Sequence, residues 1–250
     1  MTSDRPDRSP ARRRAPSVAI AFRTLMRTLR HGYENLGTLL LVSLLWYAAA
    51  ILILPIGVGT AALHRVVQPM TEERSADWRS FFSHLRADLR WSSLLTIILA
   101  LGFFIIRLNI GFYGASDSAV FQVIAVFFGT LLIIWLGIAL FAFPLALRQQ
   151  EQHLRTTLRN ALIMVFANAP GVLISLVLLL LLVVVLVFIP PLFAIVPGVI
   201  ALWSAENTRL LLVASGYVPR DEIADREKGS APPDLTTRPH PRRSTKRPIK

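Results

Sequence analysis

The chain has 250 residues, of which 54% are apolar and 17% are charged, and its formal net charge at pH 7 is +12. Soluble domains carry charge on roughly a quarter of their residues, so this apolar excess argues against an ordinary water-soluble protein. The absence of cysteine excludes disulfides, thiolate catalysis and cysteine-ligated metals.

The N-terminal part divides into a tail and an amphipathic segment. Residues 1–16 are rich in Arg, Pro, Asp and Ser, which predicts a disordered basic tail. From residue 17 to residue 30, Val18, Phe22 and Met26 recur at helical spacing while arginines fall elsewhere on the wheel. This pattern predicts a helix that either lies in the membrane interface or packs against other cytoplasmic segments.

The first apolar run extends from Asn35 to Leu63 without a charged residue and contains a Pro/Gly-rich break. Proline removes a backbone donor and glycine permits unusual backbone angles, so the helix is predicted to kink or end at Pro55, Gly57 and Gly59. Interrupted helices can expose backbone groups that line an ion or solute path, and they can also serve only as kinks. Both interpretations stay open for these three residues.

The middle of the chain alternates amphipathic and apolar stretches. Residues 71–90 and Gln149 to Phe166 are periodic and polar on one side, which predicts two further interfacial helices. Between them lie two runs, Trp91 to Gly111 and Ser118 to Leu147. A helix needs about 20 mostly apolar residues to cross the hydrocarbon core, so each run predicts a full membrane span.

The C-terminal part holds two more predicted spans, Val172 to Ile189 and Leu192 to Val213. Glu206 and Arg209 lie near the far end of the second of these spans. Their three-residue spacing predicts an ion pair on one face of the helix. Residues 214–250 are rich in proline and charge and are predicted to form a disordered tail, which leaves residues 17–213 as the membrane-embedded helical domain.

The fold prediction is an all-α, polytopic transmembrane bundle with four full spans, a Pro/Gly-broken first hydrophobic segment and interfacial amphipathic helices. Basic residues concentrate in both tails and in the amphipathic segments, which places all of them in the cytoplasm, on the inner side of a bacterial plasma membrane. The first apolar run must then enter the membrane and return as a bent hairpin. The alternative is a single crossing with the N-terminal tail outside.

Few residues suggest chemistry. His64 has no second ligand at metal-binding spacing, and the chain lacks a nucleophile elbow, a P-loop and a dinucleotide-binding turn after a strand. We therefore predict neither an enzyme nor a cofactor or metal site. The basic charge lies in tails and juxtamembrane segments, which favours membrane lipid as a partner over nucleic acid.

The order of several short motifs resembles the YesL family of bacterial integral membrane proteins of unknown function. The motifs are Asn35-Leu36, Trp46, Leu54-Pro55, Gly59-x-Ala61-Ala62-Leu63, Phe81-Phe82, Phe143-Pro144-Leu145, Leu158 to Leu162 and Pro197-Gly198. After the Phe-Pro-Leu motif, family members commonly carry an acidic residue and asparagine. This chain has Arg148, Gln149, Gln150 and Glu151 there.

The resemblance implies a function, because YesL genes often lie beside carbohydrate ABC transporter genes. We expect a non-enzymatic accessory or regulatory component of a carbohydrate transport system, which docks on ABC transporter subunits or forms a homo-oligomer. The alternative is an autonomous small-solute channel or carrier with its path near Pro55. A lipid-modifying enzyme is a third class, disfavoured by the lack of a catalytic cluster.

Overall fold

The computed structural model describes residues 17–51, 56–72, 74, 76–87, 89–149 and 153–215. These residues form helices and short connections, with no strand among them, so the predicted all-α bundle is confirmed. The N-terminal tail, residues 1–16, lies outside the described residues, as do Pro55 and residues 216–250 of the C-terminal tail.

Ten α-helices and one 3₁₀ turn are present in the part of the chain that the structure describes. In chain order they are α1 Ser17–Glu34, α2 Leu36–Ile51, α3 Ile56–Val67, the 3₁₀ turn Gln68–Glu72, α4 Ser80–Ala87, α5 Leu89–Gly114, α6 Ala119–Arg148, α7 Leu154–Ala167, α8 Ala169–Phe188, α9 Pro190–Phe193 and α10 Val196–Ser215.

Three of the described helices, α5, α6 and α8, are long and apolar enough to cross a membrane. They contain 26, 30 and 20 residues, which meets the length that the hydrocarbon core requires. Helices α1 and α2 pass the same test only as a pair, and they meet at a bend of 92°. The chain is therefore a multi-pass α-helical membrane protein.

The predicted span from Leu192 to Val213 differs from what the structure contains. The chain there forms the short helix α9 and then α10, and α10 is not among the described helices that pass the length and hydropathy test. Glu206, Asn207 and Arg209 lower its hydropathy. Instead of facing outward, α10 contacts α1, α2, α3, α6 and α8, which makes it the central helix of the bundle.

The first apolar run forms two helices that pack against each other. Trp46 Nε1 of α2 donates a hydrogen bond to Thr60 Oγ1 of α3 at 3.1 Å. Helix α2 ends at Ile51 and α3 begins at Ile56, while Pro55 lies outside the described residues. Gly57 and Gly59 lie in the first turn of α3. Thr60 Oγ1 in turn donates to the Ile56 carbonyl four residues earlier, a bond typical of a residue inside a helix.

Helix α1 packs against α8 and α10 and presents its apolar stripe on the opposite side. Its inner face combines the apolar core residue Ile20 with the buried polar residues Thr24 and Thr28. Four exposed apolar side chains line the outer face: Val18, Phe22, Met26 and Leu29. The helix therefore contacts the bundle through both apolar and polar groups and leaves its exposed apolar stripe available to lipid, as expected of an interfacial helix.

Helix α4 is shorter than the amphipathic segment predicted over residues 71–90. It begins at Ser80, after a turn in which the Asp77 carboxylate accepts a hydrogen bond from the Arg79 backbone N–H at 2.9 Å. Phe81 is buried, and Leu85 packs on the core beneath it. The helix thus docks on α3, its main neighbour, through these two residues.

Candidate functional site

A buried carboxylate, Glu206, lies at the centre of the most polar region inside the bundle. Its side chain is fully buried on α10. Arg27 Nη1 of α1 lies 3.4 Å from Glu206 Oε1, and Arg209 Nη1 lies 3.9 Å from Glu206 Oε2. A buried carboxylate is very unfavourable unless it is paired, so the two arginines account for its presence.

Two further elements converge on this cluster. Arg209 Nη1 donates a hydrogen bond to the Thr71 carbonyl oxygen, which ties the 3₁₀ turn to α10. Arg148, the last residue of α6, is close enough to Glu72, Glu206 and Arg209 for their charges to act on its guanidinium. We call Arg27, Glu72, Arg148, Glu206 and Arg209 the charged cluster.

A hydrogen-bonded network adjoins the charged cluster on its α8 side. Ser175 Oγ accepts hydrogen bonds from Trp203 Nε1 and Asn207 Nδ2, each at 2.9 Å. Asn207 Oδ1 accepts from Thr24 Oγ1 at 3.4 Å. Because all of these residues are buried, the network links α1, α8 and α10 through bonds that have no water to compete with them.

The glycines of α3 occupy a different place, where helices approach closely. A Cβ atom on Gly57 would lie 2.5 Å from the Ser92 carbonyl oxygen and would also collide with Thr96 Oγ1 of α5. A Cβ on Gly59 would lie 3.4 Å from Trp46 of α2. Neighbouring helices therefore fill the space beside both glycines, which suits close packing more directly than a solute path.

His64 lies inside the bundle, at the contact between α3 and α6. Its side chain is buried and its ring stacks on Phe143 of α6, with centroids 5.5 Å apart. Among the described residues, no group of three or more His, Cys, Asp or Glu could hold a metal ion. The histidine contributes packing between α3 and α6.

Sequence reasoning identified Glu206 and Arg209 but missed Arg27 and Arg148. Arg27 is 179 positions away from Glu206 along the chain, and nothing in local periodicity connects them. Arg148 directly follows the apolar run from Ser118 to Leu147 and was interpreted only as a departure from a family motif. One signal was present, since each arginine interrupts or borders an apolar stretch, where an unpaired charge is costly.

One family matches the chain: residues 39–110 match a family described as "Protein of unknown function, DUF624". The matched stretch begins within α2 and ends within α5, so it contains the α2–α3 pair and α4. It does not contain Arg27, Arg148 or α10, and it covers less than half of the chain. No curated protein and no solved structure matches the chain.

Proposed function

We propose that this protein is a non-enzymatic YesL-type component of a bacterial plasma membrane that assists or regulates a carbohydrate transport system. It docks on subunits of an ABC transporter and moves no solute by itself. The support is the motif order described above, the match over residues 39–110 and the surface of α4.

The observation that carries this proposal is the aromatic surface around α4. Phe81 is buried, whereas the adjacent Phe82 is 54% exposed and Trp78 is 37% exposed. The Arg79 guanidinium lies 5.7 Å from the Trp78 ring centroid, which keeps a cation beside the aromatic group. Residues of these types are typical of a protein-binding surface, and here Phe82 lies on the short helix α4 while Trp78 and Arg79 lie in the turn before it.

The close packing of the bundle interior gives less support to the channel or carrier alternative. The largest fully buried side chains include Trp203, Phe141 and Leu39, which fill the space between α2, α6 and α10. At Gly57 the backbone of α5 lies in direct contact with α3. A path at this position would therefore require α5 to move away from α3.

Site-specific cross-linking tests the proposal in the native bacterium. A photoreactive amino acid at Phe82 should form an adduct with a permease subunit of a carbohydrate ABC transporter, identified by mass spectrometry. The same amino acid at Ser116, in the turn between α5 and α6, should form no such adduct. Adducts with lipid alone at Phe82, together with sugar flux through liposomes holding only the purified protein, would favour the channel alternative.

The orientation in the membrane is tested separately with single cysteines in this cysteine-free chain. Ser116 lies in the α5–α6 turn and is partly exposed, and Ser83 lies on α4 and is exposed. A membrane-impermeant thiol reagent should label Ser116→Cys in intact cells and should leave Ser83→Cys unlabelled. Labelling of Ser83→Cys would place α4 outside the cytoplasm, where it could not meet a cytoplasmic partner.

A further inference from the structure

Three buried hydrogen-bond donors at the end of α6 have no acceptor. They are Nε and Nη2 of Arg148 and Nε2 of the next residue, Gln149. The Gln149 amide is held in place from its other end, because its Oε1 accepts a hydrogen bond from Thr157 Oγ1 of α7 at 3.0 Å. A buried donor without an acceptor is unfavourable, and more so when the donor is charged.

Arginines outnumber carboxylates among the described residues of this region. Arg74 Nη2 lies 3.5 Å from Glu72 Oε2, so it adjoins the charged cluster at its solvent side. The described members then include four arginines, namely Arg27, Arg74, Arg148 and Arg209, and two carboxylates, Glu72 and Glu206. Arg148, whose donors are unpaired, belongs to this basic set.

A phosphate group matches both observations. A phosphomonoester carries a charge of about −1.5 to −2 at pH 7 and three strong acceptor oxygens, whereas the phosphodiester of a phospholipid headgroup carries one negative charge and two free oxygens. The planar guanidinium of Arg148 presents two parallel N–H groups, a geometry that binds two phosphate oxygens at once. In a phosphomonoester a third oxygen can accept from Gln149 Nε2, and in a phosphodiester one of the same two oxygens can accept this bond as well.

We propose that the charged cluster and Gln149 form a binding site for a phosphate group, with Arg148 as its main ligand. The phosphate group has two possible sources, a soluble phosphate or phosphomonoester on the cytoplasmic side and the headgroup of an anionic phospholipid. This site is separate from the aromatic surface of α4, and it does not depend on the transport role proposed above.

Thermal unfolding of the purified full-length chain in a neutral detergent tests the site. Inorganic phosphate and short-chain phosphatidylglycerol are added in separate titrations at constant ionic strength, with phosphatidylcholine as the lipid control. A ligand that binds only the folded chain raises the melting temperature in proportion to its occupancy. Protection by inorganic phosphate identifies a soluble source, and protection by phosphatidylglycerol alone identifies a lipid headgroup.

Variants of Arg148 assign the effect to the site. In Arg148→Gln the apparent dissociation constant of the protecting ligand should rise about tenfold or more, because two charged hydrogen bonds are lost. Arg148→Lys keeps the charge but lacks the planar guanidinium, so its apparent dissociation constant should lie between those of the unmodified protein and Arg148→Gln. This variant also tests the site if Arg148→Gln does not fold. Arg159→Gln, the same charge change at an exposed position of α7, should bind as the unmodified protein does.

Two outcomes overturn the proposal. One is that neither inorganic phosphate nor phosphatidylglycerol protects the unmodified chain beyond the chloride and phosphatidylcholine controls. The other is that Arg148→Gln or Arg148→Lys is protected at the same concentrations as the unmodified protein. In either case no phosphate group occupies the site.

Discussion

The α5–α6 hairpin and α10 are built in opposite ways. Only 17% of an apolar 18-residue stretch is buried in α5, and the same share is buried in α6. The exposed surface is apolar, and Phe104, Phe112 and Val126 are all more than half exposed. In α10 the polar residues Glu206, Asn207 and Thr208 are buried. In water this arrangement would be reversed, with apolar groups inside and charge outside.

The difference shows what each region has as its surroundings. Hydrocarbon around the hairpin removes any penalty for exposed phenylalanine, so its helices need few contacts beyond their own interface. Helix α10 has no such surroundings and must satisfy each of its polar groups from neighbouring helices. Substitutions in the two regions should therefore impair stability or membrane insertion for different reasons and by different amounts.

The largest effect on stability is expected in α10, the buried region. Glu206→Ala leaves Arg27 and Arg209 without their carboxylate, and breaking a buried ion pair in this way destabilises proteins by about 3–5 kcal/mol. The melting temperature in detergent should fall strongly, and less strongly for Glu206→Gln, which keeps an acceptor. The matched control Glu34→Gln, at an exposed residue of α1, should change little. Equal melting temperatures for Glu206→Ala and the unmodified chain would show that the charged cluster does not stabilise the packing of α10.

The second effect tests the lipid-facing surface. Ile133 lies close to the middle of α6 and is 46% exposed. Ile133→Arg should reduce the fraction of protein that resists alkaline extraction from membranes, because arginine at the centre of a span is unfavourable by about 2.5–3.5 kcal/mol on the insertion scale. Ser116→Arg, at the turn, should insert normally. Unchanged insertion of Ile133→Arg would mean that this face of α6 is not surrounded by hydrocarbon.

The third effect concerns the contact between the hairpin and the bundle. Gly57→Ala places a methyl group against the Ser92 carbonyl of α5, and overpacking of this kind is unfavourable by about 1–3 kcal/mol. Gly129→Ala, on α6 with no atom within 4 Å, should be neutral or slightly stabilising, since alanine favours helix by about 1 kcal/mol. Melting temperatures of the two variants measure the difference. A stabilised Gly57→Ala would refute close packing between α3 and α5.

The smallest effect lies inside the hairpin itself. Trp135 Nε1 donates a hydrogen bond to the Leu99 carbonyl at 2.9 Å, next to the close approach between Trp135 and Gly102. Trp135→Phe should lower the melting temperature slightly, because a single hydrogen bond contributes about 0.5–1.5 kcal/mol. Trp46→Phe removes the corresponding bond between α2 and α3 and serves as a comparison of similar size. If Trp135→Phe lowered the melting temperature as much as Glu206→Ala does, the expected order of the effects would be contradicted.

The sequence predicted the individual helices well and their contacts poorly. Long apolar runs gave α5, α6 and α8, because the thickness of the hydrocarbon core sets a length that can be counted along the chain. The spacing of Glu206 and Arg209 placed both groups on one face of a helix. It did not identify Arg27 as the nearer partner of Glu206, since that contact joins the two ends of the described chain.

The helix break shows the same limit at a local scale. Proline and glycine were expected to kink or end the helix around Pro55, Gly57 and Gly59; α2 ends at Ile51, α3 begins at Ile56, and both glycines are helical in α3. At Gly57, α5 comes too close for a side chain, whereas a Cβ on Gly59 would make an ordinary contact with Trp46 of α2. Backbone flexibility and steric smallness give the same signal in a sequence, and only packing separates them.

The sequence by itself determined that this chain is an α-helical membrane protein, and it determined which stretches are apolar enough to cross. Both follow from composition and from the need to satisfy every backbone polar group within the bilayer. Only the tertiary structure decided that α10 is central, that α1 buries both apolar and polar side chains against the bundle, and that Arg148 and Gln149 keep unpaired donors beside the charged cluster. These features depend on contacts between distant residues, and periodicity carries no information about such contacts.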